Sequence, residues 1–134
     1  MEISSFVFDW LANPHRFSKL TGYLQLPLII LSTTMISLGL YYGLFDSPKD
    51  YQQGDAVRIM YVHVPSAWLA SFLYFSLAVS CIFYLVWKHP LADLIANAIA
   101  PIGLIFSILT LITGSLWGKP MWGTWWVWDA RLTS

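Results

Sequence analysis

Five of the eight tryptophans of the chain lie between positions 117 and 128, in the sequence WGKPMWGTWWVWDARLTS that ends at Ser134. Indole rings provide wide, flat faces with few rotatable bonds, and offset stacking adds about 0.5 to 1.5 kcal/mol per ring beyond area burial. This composition therefore suits the binding of a large, flat, aromatic ligand. It also suits a membrane anchor, because tryptophan favours the headgroup layer. The residue types alone leave both interpretations open.

Positions 117–134 form the tryptophan segment. Gly118, Pro120 and Gly123 are residues that interrupt helices, so we expect the chain to leave the membrane here and to lie along its surface. A helix from position 122 onward would place four side chains on one face, those of Trp122, Trp125, Trp126 and Asp129. An extended chain would instead place Trp126 and Trp128 on one side. The pattern does not decide between the two.

The composition of the whole chain predicts a membrane protein. Of its 134 residues, 57% are hydrophobic and only 10% are charged, whereas soluble domains are roughly 25% charged. Three stretches, 24–45, 66–87 and 94–116, contain no Asp, Glu, Lys, Arg or His, and each is long enough to cross a bilayer as a helix. We therefore predict an all-α integral membrane protein with three transmembrane helices and a tryptophan-rich segment at the membrane surface.

Several classes of function are excluded or disfavoured. The charges of the seven basic and seven acidic residues cancel, and the sequence contains no run of basic residues. Binding to a nucleic-acid backbone is therefore disfavoured. The one cysteine, Cys81, lies in an apolar stretch, so the chain offers neither an internal disulfide nor a Cys-x-x-Cys-His haem attachment site. No Ser/His/Asp, Cys/His or paired-carboxylate set gathers on one side, and we expect no enzymatic turnover.

The basic residues next to the spans predict the orientation. Arg16 and Lys19 precede the first span and Lys88 follows the second, which places the amino terminus and loop 88–93 in the cytoplasm. The amino-terminal segment 1–23 is then either an amphipathic stretch on that face or a loosely ordered tail. Loop 46–65 and the tryptophan segment fall on the periplasmic side. By bare count three Lys/Arg residues lie inside and four outside, so the count itself does not favour this orientation.

A porphyrin is one flat ligand that would suit the tryptophans, and haem iron needs an axial ligand such as histidine. In the predicted topology, His15 and His89 lie on the cytoplasmic side, a bilayer of about 30 Å away. His63 lies in MYVHVPSAW at the outer mouth of the second span, on the side of the tryptophans. Pro65 and Ser66, as a possible cap, predict a constrained turn around it. The alternative is an interfacial histidine that bonds to the backbone.

Other residues on the periplasmic side could complete such a site. The propionates of a porphyrin need cations, for which the candidates are Arg58, Lys119 and Arg131, although such residues also contact lipid headgroups. A second axial ligand on this side would be Met60, Met121, a water molecule or a residue beyond Ser134. Both methionines are also typical packing residues.

The tryptophan segment resembles the "WWD" motif of the haem-handling membrane proteins of cytochrome c biogenesis. Together with VHVPSAW before the second span, it is similar to the haem exporter protein C (CcmC) family. The resemblance implies an inner-membrane protein, bacterial or organellar, that binds haem b non-covalently between a tryptophan platform and two histidines. His63 matches the first of these histidines. The platform corresponds to Trp117, Gly118, Trp122, Gly123, Trp125, Trp126, Trp128 and Asp129.

The resemblance also implies partners and a role. The protein would pass haem to a periplasmic haem chaperone, beside ABC-type transporter subunits. The second histidine and the later helices of the family are expected beyond Ser134, so the chain is interpreted as the amino-terminal part of such a protein. Two alternatives remain at this point: the cytochrome c haem-lyase component that shares the motif, and a structural membrane subunit that binds no haem and is only anchored by its tryptophans.

Overall fold

The computed structural model describes residues 14–88 and 90–128. Three long helices follow one another, α1 at Pro14–Tyr41, α2 at Val57–Trp87 and α3 at Pro90–Trp122. A π-helical turn, Tyr42–Asp46, follows α1 directly. Within the described ranges the only β-type pairing is an isolated bridge between Asp50 and Gly54.

The helices meet the length and composition that a membrane span requires. The apolar helical stretches Ser18–Asp46, Val57–Trp87 and Pro90–Trp122 contain 29, 31 and 33 residues, with mean hydropathies of 1.7, 2.1 and 2.2. At 1.5 Å per residue, each exceeds the roughly 30 Å of a hydrocarbon core. The prediction of an all-α membrane protein with three such helices is confirmed.

The chain divides after Tyr41 into two units. The first unit contains α1, whose side chains from Ser18 onward are nearly all exposed. Two of its hydroxyl groups bond within the helix, because Ser32 Oγ donates to the Ile29 carbonyl at 3.1 Å and Thr34 Oγ1 to the Ile30 carbonyl at 2.8 Å. Such local bonds allow serine and threonine to lie in an apolar helix. Positions 1–13 of the predicted amphipathic segment lie outside the described residues.

The second unit is built on a hairpin of α2 and α3, which pack against each other. Small residues allow the approach: a Cβ at Gly103 would lie 3.7 Å from Leu73 Cβ. Polar Ser66 and Thr113 are among the few buried residues, whereas large apolar side chains such as Phe72 and Ile105 point outward. Small and polar residues inside with apolar residues outside are typical of helices that pack in lipid.

The hairpin connection is short because α3 begins at Pro90. Lys88 has a φ of 53°, in the left-handed region, and its N–H donates to the Tyr84 carbonyl at 2.8 Å, which ends α2. Proline at the first position of α3 loses no helical hydrogen bond. Part of the predicted cytoplasmic loop 88–93 is therefore already helix, and His89 lies outside the described residues.

Candidate functional site

His63 lies within α2, less than two turns after the helix begins at Val57. The expected constrained turn around it is wrong, because Pro65 is accommodated inside the helix. Ser66 does not cap the helix either, since its Oγ donates to the Val62 carbonyl at 2.7 Å. Pro65 is the ninth residue of α2 and therefore removes one backbone hydrogen bond of the helix. Membrane helices tolerate such an interior proline because neighbouring groups can satisfy the freed carbonyl.

The imidazole of His63 is held against α3. Its Nδ1 lies 3.1 Å from Thr113 Oγ1. A Cβ at Gly114 would lie 3.1 Å from Cε1 of the same ring, so a larger residue here would require the ring to shift. His63 itself is half-buried. The Nδ1–Cε1 edge of the imidazole is thus placed on α3 by two successive residues.

Trp117 lies one turn beyond Thr113 on α3 and is tied to the loop before α2. Its indole Nε1 donates to Gln53 Oε1 at 3.0 Å. The loop is shaped by Asp50, whose Oδ1 accepts hydrogen bonds from the backbone N–H groups of Gln52 and Gln53 at 2.8 Å each. Gly54, with a φ of 58°, completes this tight turn. The loop therefore places the Gln53 side chain where it can orient the Trp117 ring.

The first part of the tryptophan segment is helical. We expected the chain to leave the helix at Gly118 and Pro120, but α3 continues through both to Trp122. Gly118 is buried, and a Cβ there would lie 3.4 Å from Trp122 Cε3. The rings of Trp117 and Trp122 meet edge to face with centroids 5.1 Å apart. A Cβ at position 118 would make an ordinary van der Waals contact with the Trp122 indole, so the ring does not by itself require glycine here.

The chain reverses at Gly123, the residue that ends α3. Its φ of 77° lies in the left-handed region, and its N–H donates to the Lys119 carbonyl at 3.0 Å. This is the usual glycine termination of a helix. Lys119 Nζ in turn donates to the Gly123 carbonyl at 3.0 Å. Of the predicted helix breakers, Gly123 alone acts as one.

Residues 124–128 then run back along α3 without regular structure. Trp125 and Trp126 border an apolar groove of about 430 Å³ whose floor on α3 consists of Leu111, Ile112, Ser115 and Leu116. The rings of Trp126 and Trp128 meet edge to face at 5.8 Å. The structure thus favours the extended alternative for this part of the segment. Trp128 is 85% exposed.

The His63 contact and the groove lie on different faces of α3. With 100° per residue, the mean direction of positions 113 and 114 differs by about half a turn from that of positions 111, 112, 115 and 116. Thr113 and Gly114 contact His63, whereas the other four residues border Trp125 and Trp126. Trp117, four residues after Thr113, belongs to the His63 side.

Two of the predicted propionate contacts, Arg58 and Lys119, make local interactions. Arg58 donates from Nη1 to the Leu44 carbonyl and from Nη2 to the Ser47 carbonyl, both at 3.1 Å. Its guanidinium thereby binds carbonyl groups at the end of the π-helical turn, which have no partner within a helix. Lys119 Nζ lies 5.7 Å from the centre of the Trp125 ring. That these cations contact a propionate stays a prediction, and Arg131 and Asp129 lie outside the described residues.

One carboxylate of the loop before α2 is perturbed. Lys49 Nζ lies 2.7 Å from Asp55 Oδ2. This hydrogen bond, with the positive charges of Lys49 and Arg58, holds the pKa of Asp55 below its ordinary value. Both side chains of the pair are exposed, so it contributes little to the stability of the fold. Met60 and Met121, the methionines considered as second ligands, are half-buried.

Sequence reasoning missed three residues that the structure brings to this site, Gln53, Thr113 and Gly114. None belongs to the motifs in the sequence. Thr113 and Gly114 are ordinary in an apolar helix, and only the register between α2 and α3 shows that they face His63. A signal was present for Gln53, because QQGD follows Asp50 as a polar turn sequence, but its partner Trp117 is 64 residues away.

The fold and the site define a helical membrane protein that gathers a histidine and several tryptophans at one end of a helix hairpin. The family model of CcmC, Heme exporter protein C, matches residues 7–134. The chain therefore belongs to the heme exporter protein C family, a family of haem transport in cytochrome c biogenesis. This decides against the haem-lyase component as its family.

Individual relatives agree with the family. The chain is 52% identical over 124 residues to heme exporter protein C of Bradyrhizobium diazoefficiens, covering 92% of this chain and 47% of the relative. It is 48% identical over 124 residues to that of Escherichia coli K12, covering 92% and 51%. A putative cytochrome c biosynthesis ccmC-like mitochondrial protein of Marchantia polymorpha is 49% identical over 100 residues, 75% of this chain and 44% of that protein. The chain spans about half the length of the curated relatives it matches.

Proposed function

We propose that this chain binds haem b non-covalently at the periplasmic end of the α2–α3 hairpin, with His63 as an axial ligand to the iron. The observation that carries the proposal is the position of His63, which α3 holds at the same end of the hairpin as the tryptophans. A histidine whose ring is already oriented loses little entropy when it coordinates. The family supplies the ligand class, since its members are called heme exporters.

Trp117, on the His63 side of α3, provides the ring contact together with its neighbour Trp122. Trp117 is held by Gln53 and meets Trp122 edge to face. Two indoles whose orientation is fixed before binding can stack on a porphyrin at lower entropic cost than mobile side chains. Trp125, Trp126 and Trp128 are proposed as the more adaptable part of the platform. Arg58, Lys119 and Arg131 are its proposed propionate contacts.

The haem is proposed to be cargo rather than a resident cofactor. A surface site with reversible ligation can release its ligand to a periplasmic haem chaperone, next to ABC-type transporter subunits of the same maturation system. In this proposal the amino terminus is cytoplasmic, as Arg16, Lys19 and Lys88 indicate, and the membrane is a bacterial or organellar inner membrane. No covalent chemistry is required of the chain.

The axial role of His63 is tested by His63→Ala in the membrane-embedded chain purified in detergent. We expect the haem absorbance to fall and the histidine-ligated spectrum to disappear. Added free imidazole should restore both, because the contact surface made by Thr113 and Gly114 remains in the variant. An unchanged spectrum in His63→Ala would rule out the axial role.

The tryptophan platform is tested separately from membrane anchoring. Trp117→Ala and Trp122→Ala are compared with Trp87→Ala, a matched control whose ring also has an aromatic neighbour, Phe83, at 5.0 Å. The first two variants should lose haem while inserting normally, and the control should retain it. If all three insert poorly and the inserted fraction keeps its haem, the tryptophans are anchors and the chain is a structural subunit.

A further inference from the structure

The hydroxyl of Thr113 has two kinds of neighbour, and this decides how it bonds to His63. Thr113 Oγ1 lies 2.7 Å from the Leu109 carbonyl and 3.2 Å from the Thr110 carbonyl. It also lies 3.1 Å from His63 Nδ1. A hydroxyl has one hydrogen to donate and two lone pairs to accept with, whereas a carbonyl can only accept.

The single hydrogen of Thr113 must therefore point to the carbonyls of its own helix. If it pointed to His63 instead, two acceptor oxygens would face each other at 2.7 Å with no hydrogen between them. With the hydrogen so committed, the contact with His63 is a hydrogen bond only when Nδ1 carries a proton and donates. A neutral imidazole that is protonated on Nδ1 has its free lone pair on Nε2.

We infer that Thr113 is a positioning residue that fixes His63 as the Nδ1–H tautomer and leaves Nε2 as the nitrogen that binds iron. Gly114 supports this arrangement, because its missing side chain admits Cε1 of the ring to the surface of α3. The N–H of a metal-binding histidine is commonly held by such an acceptor, which sets the tautomer and the ring orientation. The assignment of iron to Nε2 rests on the proposed function, whereas the assignment of the tautomer does not.

The tautomer is measured first, without haem. Nitrogen NMR of histidine-labelled chain in detergent, at a pH where the ring is neutral, separates the protonated from the unprotonated ring nitrogens. The His63 signals are identified by their loss in His63→Gln. We expect Nδ1 to be protonated in the wild type and in Thr113→Ser, which keeps the hydroxyl. In Thr113→Val, which removes it, the Nε2–H form should appear.

A matched control is available on the same helix. Thr110 Oγ1 donates to the Phe106 carbonyl at 2.8 Å, the same kind of bond that Thr113 makes, so Thr110→Val removes an equivalent hydroxyl. This variant should leave the His63 signals unchanged. If wild-type His63 is protonated on Nε2, or if Thr113→Val and Thr110→Val give the same spectrum as the wild type, the inference is wrong.

Haem titration followed by absorbance gives the second measurement. Removal of the acceptor that orients a metal-binding histidine costs about 10- to 100-fold in affinity, so we expect that loss in Thr113→Val and not in Thr113→Ser or Thr110→Val. If Thr113→Val binds haem as tightly as the wild type, Thr113 does not act on the ligand. If the wild type takes up no haem while its tautomer is as expected, the proposed function fails and the assignment of the tautomer stands.

Discussion

Replacement of Gly114 by alanine should separate the packing of His63 from the stability of the helix behind it. The new Cβ would lie 3.1 Å from His63 Cε1, whereas carbon atoms pack best at about 3.5 to 4.0 Å. The ring must then retreat by about 0.4 to 0.9 Å if it moves directly away from α3. Its Nδ1, now 3.1 Å from Thr113 Oγ1, would move beyond a good hydrogen bond.

Two opposing terms set the size of the effect on stability. Alanine is about 1 kcal/mol more favourable than glycine inside a helix, and overpacking costs about 1 to 3 kcal/mol. Gly103→Ala is the matched control, because its Cβ would lie at an ordinary 3.7 Å from Leu73. We therefore expect Gly103→Ala to stabilise the protein, and Gly114→Ala to be less stable than this control by about 1 to 3 kcal/mol.

The assay is equilibrium unfolding in mixed detergent micelles, followed by the helical circular dichroism signal. Haem titration of the same preparations should show weaker binding for Gly114→Ala and unchanged binding for Gly103→Ala. Equal stability of the two variants would refute the close contact at Gly114. Normal haem affinity in Gly114→Ala would show that the position of the imidazole against α3 does not matter for the ligand.

Three further predictions concern the loop before α2. In a double-mutant cycle, Gln53→Leu and Trp117→Phe should couple by about 0.5 to 1.5 kcal/mol, the net contribution of one hydrogen bond; unfolding measurements that give additive effects would contradict this bond. Arg58→Ala should leave two main-chain carbonyls unpaired and increase amide hydrogen exchange in the π-helical turn. Arg58→Lys should restore protection only in part, because lysine cannot form two parallel bonds. Unchanged exchange would show that Arg58 does not stabilise the turn. Lys49 and Arg58 lower the pKa of Asp55. The contribution of Asp55 to loop order should therefore be present above its ordinary pKa of about 3.9 and be lost as the pH falls through the lower pKa of the folded protein. NMR of the loop should show this loss in the wild type and not in Asp55→Asn.

The number and type of helices could be predicted from the sequence because the hydrocarbon core imposes them. A stretch of more than 20 apolar residues without charge has few alternatives to a spanning helix. The charge-free stretches are shorter than the helices that contain them: α2 begins at Val57, whereas its stretch begins at Ser66. Charged and polar residues such as Arg58 can belong to a helix outside the hydrocarbon, so the absence of charge defines the apolar core and not the end of the hydrogen-bonded backbone.

The candidate site was predictable by residue type but not by arrangement. His63 and the tryptophans stand out in the sequence because their chemistry is rare in an apolar chain. The residues that orient them do not stand out, since Thr113 and Gly114 have the composition of any membrane helix and Gln53 that of any polar loop. Their roles depend on the register of α2 against α3 and on a hydrogen bond between residues 64 positions apart. Neither is encoded in a local pattern.

The motif in the sequence suggests one platform of tryptophans, but α3 divides it into two parts. In the proposed function, the ligand binds His63 at the face of α3 that also carries Trp117. The groove of Trp125 and Trp126 opens about half a turn away around the helix. A helix with its side chains is about 10 to 12 Å across. For all the indoles to contact one porphyrin, the chain after Gly123 must therefore move from the groove towards His63. If the proposed function holds, we therefore expect Trp117 to contribute to the initial binding of haem and Trp126 to contribute only after that movement.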